Sequence, residues 1–274
     1  MPAREDVMAR SAIRCGRAAA FVLLWTICVC GFSLAQDMLR HLDLQSPAMT
    51  QAEMTRTEVA GLIEKRTHGQ APDLADKHLN GLDLSGLDLS GAILRNARLN
   101  KTNLKGAKLD GAVLDQAWAL DADLSGASLK GASLFAAQFQ GAKLDRADLS
   151  GARIAAVFSR ASLQNANLSA CNCAADMKNQ SMGLMRAVFK SAKLTGANLA
   201  GADLSHADLE FAQLRGANLT GANLHDAEAA GADFRGAILQ DAKLTGLDVN
   251  AARIDGQAAR AFAVAKNVET SFKE

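Results

Sequence analysis

The chain has 274 residues, room for one long domain or two small ones. A formal net charge of +1 creates no strong field, which argues against nucleic acid or an anionic membrane as a partner. Apolar residues make up 49 % but aromatics only 4 %, and tyrosine is absent, so the core must rest on leucine and alanine; 22 glycines against three prolines is high for a helical bundle.

Arg4, Arg10, Arg14 and Arg17 precede the apolar run AAAFVLLWTICVCGF, Ala18 to Phe32, and the small residues Ser33 and Ala35 follow. A basic region, a short apolar region and a small-x-small site read as a secretory signal over residues 1–35, cut to leave Gln36 as the mature N-terminus. The alternative is an uncleaved membrane anchor, although the run is shorter than the roughly 20 residues a spanning helix needs. Cys28 and Cys30 lack the leucine-rich approach of a lipidation site. Either reading puts the remainder outside the cytoplasm: periplasmic or otherwise exported, or anchored to the inner membrane.

Gln36 to Pro47 has no clear period and reads as a flexible lead. Thr50 with Glu53, and Thr55 with Glu58, are two candidate capping boxes. Val59, Leu62, Ile63 and Arg66 follow helical spacing, with Gly69 and Pro72 as stops. One amphipathic helix over about 52–66 is expected, and residues 36–77 form a lead and an N-terminal cap.

From Leu79 the spacing changes to five. Central residues fall at 79, 84, 89 and onward to 154, mostly leucine, with Phe139, Ile154 and one alanine at 119. A small or apolar residue, usually alanine, sits two places before nearly every centre, and 17 of the 22 glycines sit two places after one. Centres at Phe158, Leu163, Leu168 and Cys173 are shifted back by one. The original phase returns from Leu184 to Ile254. One residue lost near 154–158 and one regained later predict a bulge or small loop at about 174–181, within an irregular coil at about 171–186.

The stretches ANLAGADLSHADL, GANLTGANL, DADLSGASL and RADLSGA match A-(D/N)-L-x-x, and over about residues 78–256 the chain resembles the pentapeptide-repeat family. The resemblance implies an all-β solenoid: a right-handed, quadrilateral parallel β-helix with five residues per side and about twenty per coil. These residues suit such a shape. The centre and the residue two before it point inward along an extended segment. Glycine near each corner tolerates a tight turn. Successive coils pair roughly 4.8 Å apart, so eight to nine coils make a rod of roughly 40 Å. No coil buries its inner face alone, and both ends need caps. The helix near 52–66 is the N-terminal cap, and GQAARAFAVAKNVET, leading into the tail over 257–274, is the C-terminal one.

Several clusters could carry chemistry. Cys171 and Cys173 fill both inward positions of one repeat and read as buried thiols. A strained disulfide and, with Met177, Met182 and Met185, a soft Cu(I) site are the alternatives. Ser205, His225 and Asp226 look like a hydrolase triad, but a flat surface implies no oxyanion site. His41, His68, His78 and His206 have no metal-ligand spacing. No catalytic residue, cofactor or metal is therefore expected. Asp208, Glu228 and Asp248 stack as an acidic ladder, whose mutual repulsion asks for solvent or a cation. Ile93, Val113 and Phe135 on one side, with Trp118 and Leu120 on the next, form a candidate apolar patch for a partner or a second copy.

The functional expectation is an exported, non-enzymatic scaffold or protein-binding module with an unknown protein partner, no nucleic acid, and no membrane contact beyond the N-terminal segment. The family resemblance implies the alternative. Some members mimic duplex DNA and protect a type II topoisomerase, a mode that needs a strongly acidic cytoplasmic rod. Residues 78–256 hold 18 acidic and 18 basic residues, which disfavours it.

Overall fold

The computed structural model describes residues 43–65, 71–176, 185–255 and 258–273. The export segment, its cut before Gln36 and the repeat centre Leu184 lie outside these residues and stand as expectations from sequence. Two helices come first, α1 (Pro47–Thr50) and α2 (Arg56–Glu64), followed by the repeats.

Alternation within each five-residue unit sends alanine and leucine to the axis. Leu79 through Leu114 at every centre, and Ala92, Ala107 and Ala112 before them, are inaccessible to solvent or nearly so. Each buried leucine contributes about 1.5–3 kcal/mol, so the core is additive along the rod. Between units the chain turns: Ala107 N donates to Leu104 O at 3.0 Å, and Gly106 between them has φ +61°. A positive φ at the third residue is what a type II turn requires. Corners lacking glycine adopt the same conformation, as at Phe211 with φ +57°.

Parallel bridges then stack the coils on four sides. Face A carries Ile93, Val113 and Ser133; face B carries His78, Arg98 and Trp118; face C carries Asp83, Asn103 and Asp123; face D carries Asp88, Lys108 and Ser128. Rungs are twenty residues apart up to Gln138, and this is the right-handed quadrilateral β-helix of pentapeptide repeats.

Two departures from that register both fall at the corner between faces A and B. Gln138 pairs with Val157, nineteen residues on, because the corner at Ala155–Ala156 is one residue short. Val157 then pairs with Val188, thirty-one residues on. The small loop expected from phase is therefore an excursion of eleven residues beyond one coil, between Cys173 and Val188. Eleven and one leave the same remainder in a period of five, which is why phase alone predicted one. Most of the excursion, 177–184, lies outside the described residues. Across both breaks the axis is filled by an aromatic column: Phe139 stacks on Phe158 at 5.0 Å and Phe158 on Phe189 at 5.4 Å.

The rod's ends are closed by the flanking segments. Thr55 and Glu58 form a reciprocal capping box at the start of α2, and Val59 is fully buried on the core. Arg56 donates to Asp83 O at 2.7 Å and Ser85 O at 3.0 Å, satisfying carbonyls of the first coil. The helix begins later than the expected residue 52, because Ala52 bridges Leu79 and Glu53 N donates to His78 O. Thr50 is no N-cap; it ends α1, and its hydroxyl donates to Ser46 O. At the far end a 3₁₀ helix, Ala258–Val264, buries Phe262 edge-on to Phe234 at 5.2 Å. Strand β1 (Arg253–Ile254) then pairs in parallel with β2 (Phe272–Lys273). Among the described residues no helix is long and apolar enough to cross a membrane.

Candidate interaction surfaces

The acidic ladder forms in register on face B, Asp208 bridging Glu228 and Glu228 bridging Asp248. A cation does meet it, and it is a side chain. Arg186, on the returning limb of the excursion, places Nη2 2.8 Å from Glu228 Oε2 and 3.9 Å from Asp208 Oδ2, while Nη1 donates to His206 O. Its side chain is only 14 % exposed. Burial alone would push the guanidinium's pKa down, but Glu228 and the neighbouring acids hold it above its ordinary value. Burial raises the Asp208 carboxyl, and Glu210 and Glu228 add to this, against the pull of Arg186 and a backbone hydrogen bond from Glu210. Lys190 pairs with Glu210, which raises the lysine. The last member, Asp248, accepts from Asn267 Nδ2 at 2.8 Å.

The five apolar residues divide between two faces. Ile93 and Val113 are direct rungs on face A, and Phe135 lies one coil further along it. The guanidinium of Arg153 sits 4.7 Å over the Phe135 ring, so that face of the phenylalanine is already occupied. Trp118 is a face B rung between Arg98 and Gln138, with Leu120 two residues on. All five are half-buried. Larger apolar exposures occur elsewhere, at Phe211 (55 %) and Ile238 (52 %). Phe211 lies across Gly231, whose missing Cβ would fall 2.5 Å from the ring.

The triad-like residues make other bonds. Ser205 Oγ donates to Asp203 Oδ1 at 2.8 Å, while His225 faces Asp226 at 3.1 Å and Thr245 O at 3.0 Å. His206 meets the His225 ring edge-on at 5.9 Å. Asp226 is held below the usual carboxylate range, first by its hydrogen bond from Lys266. Cys171 and Cys173 are buried free thiols, and burial, then Cys171, pushes the Cys173 thiol well up. Met177 and Met182 of the copper reading lie outside the described residues. Among the described residues no group of three or more His, Cys, Asp or Glu is placed to hold a metal ion.

Comparison with known proteins settles the family. The model for pentapeptide repeats matches residues 78–117, 121–152, 184–221 and 217–256, in eight copies. The chain belongs to the pentapeptide-repeat family. This pentapeptide-repeat protein is similar to HetL, a protein involved in heterocyst differentiation regulation from Nostoc sp. strain PCC 7120. The two are 31 % identical over 71 % of this chain and 96 % of HetL, with a TM-score of 0.43. It is also similar to full-length QnrB1, a plasmid-mediated fluoroquinolone resistance protein, at 16 % identity over 72 % of this chain and 91 % of QnrB1, TM-score 0.49. A third likeness is to a pentapeptide repeat protein of the Arabidopsis thaliana thylakoid lumen. It is 26 % identical over 51 % of this chain and 73 % of that one, TM-score 0.25. No curated protein matches the chain.

Sequence reasoning missed Arg186. Its partners lie 22 and 42 residues ahead, at a spacing that only the true length of the excursion gives. It also missed Gln138 and Gln140, which stand at outward positions on face B yet are 1 % and 9 % exposed. The repeat pattern marks them as outward, and nothing in it signals burial.

Proposed function

We propose that this pentapeptide-repeat protein is an exported, non-enzymatic scaffold that binds a protein partner along its side. The observation that carries the reading is how the outward polar groups are used. They bond along the rod to one another and to backbone, as in the row Asp148, Asn167, Asn198, Asn218, with amide-to-oxygen distances of 3.0, 3.1 and 3.3 Å. Such rows make a rigid, even surface suited to display and docking. The Ile93–Val113 row with Phe135 supplies the apolar part of a contact surface on face A. Export rests on the N-terminal pattern of basic, apolar and small residues. Mimicry of duplex DNA would need an uninterrupted acidic face. The longest acidic row is short, its residues are engaged by Arg186 and Asn267, and the repeats balance acid with base.

Cell fractionation with intact-mass analysis tests the reading. The expected species is exported and begins at Gln36. A species retaining Met1 in the inner membrane would make it an anchored rod. A soluble cytoplasmic pool that inhibits gyrase supercoiling would overturn the proposal in favour of the mimic.

A further inference from the structure

The two ends of the rod are finished differently. At the first coil, Ala52 bridges Leu79, and Arg56 satisfies the carbonyls of Asp83 and Ser85. At the last coil Phe262 plugs the axis, but the chain that follows pairs with only two of the four sides. On face B, Lys266 N donates to Leu247 O and Val249 N donates to Lys266 O; on face C, Phe272 N donates to Ala252 O. Three corners are met as well: Gly236 N donates to Asp255 Oδ2, Gly246 N to Val264 O and Ala251 N to the Thr270 hydroxyl.

Faces D and A, whose last rungs are Ile238 and Lys243, have no such cover. The 3₁₀ helix is tied at its start by Ala259 N to Asp255 O and at its end by Gly246 N to Val264 O, so it crosses the axis instead of following these two edges. Leu239 N, Asp241 N and Leu244 N, with Ala237 O and Ala242 O, have no partner among the described residues. One coil earlier, the same groups of Ala217, Leu219, Gly221, Ala222 and Leu224 bind the rungs of Ile238 and Lys243. Ala237, Leu239 and Ala242, at inward positions that are sealed in earlier coils, are only partly buried, and Ile238 is 52 % exposed. Unpaired edge backbone beside apolar surface is a template for another strand.

We propose that this unfinished half-coil is a strand-addition site: an extended segment of a partner protein lies along faces D and A, parallel to Ile238 and Lys243, as two further five-residue units. The free groups set its direction. On each face a carbonyl is followed two residues later by an N–H, the pattern by which earlier coils receive a parallel rung, and the same course carries a carbonyl to Asp241 N at the corner. Side chains set its composition. A small residue and a leucine fill the places over Ala237 and Leu239, and an apolar residue meets Ile238. An acid meets Lys243, which is exposed and has no carboxylate partner among the described residues. A second copy is a poor occupant, because the 3₁₀ helix exposes Arg260 and Val264 over the axis and holds another rod end away from both edges. The site adds to the side surface on face A and does not depend on it, since Ile93, Val113 and Phe135 lie in earlier coils.

The probe that tests this is a synthetic peptide of two units, Ala-Ile-Leu-Asn-Gly-Ala-Glu-Leu-Thr-Gly, titrated into the isotope-labelled full-length chain and followed by NMR. In the free chain the amides of Leu239, Asp241 and Leu244 are expected to exchange rapidly with solvent. With peptide they are expected to shift and become protected. A nitroxide at the peptide's N-terminus should broaden Ile238 before Thr245. The peptide methylated on the backbone nitrogens of its Ile and Glu, which lose their donors to Ala237 O and Ala242 O, should not bind. Lys243→Glu, with melting retained, should weaken binding several-fold, and a peptide carrying Lys in place of its Glu should recover it. Absence of shifts at millimolar peptide, or equal binding by the methylated peptide, would overturn the proposal. So would broadening in the reverse order. Protection of the three amides in the free chain would overturn it too, assigning the edge to the chain itself if independent of protein concentration and to a second copy if it rises with concentration.

Discussion

Face D and face B are assembled from the same five-residue unit, yet they differ in almost every outward property. On face D one amide row, Asp148 to Asn218, runs through both register breaks with its spacing intact. Face B changes character along its length. It begins under α1, becomes apolar and glutamine-rich at Trp118 to Val188, and ends in acids held by Arg186. The cause is local. Both the missing residue and the eleven-residue excursion sit at the corner between faces A and B, so faces C and D inherit an undisturbed ladder. Repetition fixes what points inward everywhere. What points outward is free to vary, and this chain concentrates its variation on one side.

The largest expected effect separates the two faces at the axis. Phe158→Ala removes the middle of the three-ring column behind face B and should cost about 3–5 kcal/mol, enough to split urea unfolding into two transitions. Leu168→Ala behind face D should cost about 2–5 kcal/mol while leaving one transition. A single transition for both would mean that the column does not couple the coils across the breaks.

Next in size are the side chains that tie coils together outside. Arg186→Met leaves Asp208 and Glu228 without the cation between them and should cost about 3 kcal/mol. Asn198→Ala interrupts the face D row and should cost about 1 kcal/mol. Equal shifts in urea midpoint would contradict the distinction.

A finer contrast comes from pH. Asp148 on face D is depressed below its ordinary value: burial opposes this, but hydrogen bonds from Ser150 and the charge of Lys130 outweigh it. Its stabilisation is present above the unfolded pKa and is lost as pH falls through the folded one. Asp208 on face B is raised, chiefly by burial, so its penalty is present at neutral pH and is relieved as pH falls through its folded pKa toward the unfolded value. Relative to wild type, Asp148→Asn should therefore gain stability on acidification and Asp208→Asn should lose it. Urea titrations across the carboxylate range check the two signs.

The inside of the rod was legible because alternation and a period of five leave little choice: leucine and alanine at two inward positions, and glycine where φ must be positive. The helix boundary at Arg56 was less so, since Ala52 and Glu53 are taken up by the edge of the first coil. The outside was hidden for a different reason. Which outward residues meet depends on the residues per coil, and one uncounted excursion moves Arg186 onto Asp208 and Glu228. The acidic ladder could be read because all three members lie beyond the excursion, where twenty per coil holds. Its cation could not.

The central claim, that the repeat dictates the inside while leaving the outside free, is tested most directly by adjacent substitutions on one rung. Leu204 is fully buried, and Ser205 beside it faces out. Thermal melts of Leu204→Asp and Ser205→Asp should diverge. The first puts an unpaired carboxylate in the axis and should unfold several coils; the second should melt close to wild type. Equal shifts would contradict the register that divides inside from outside.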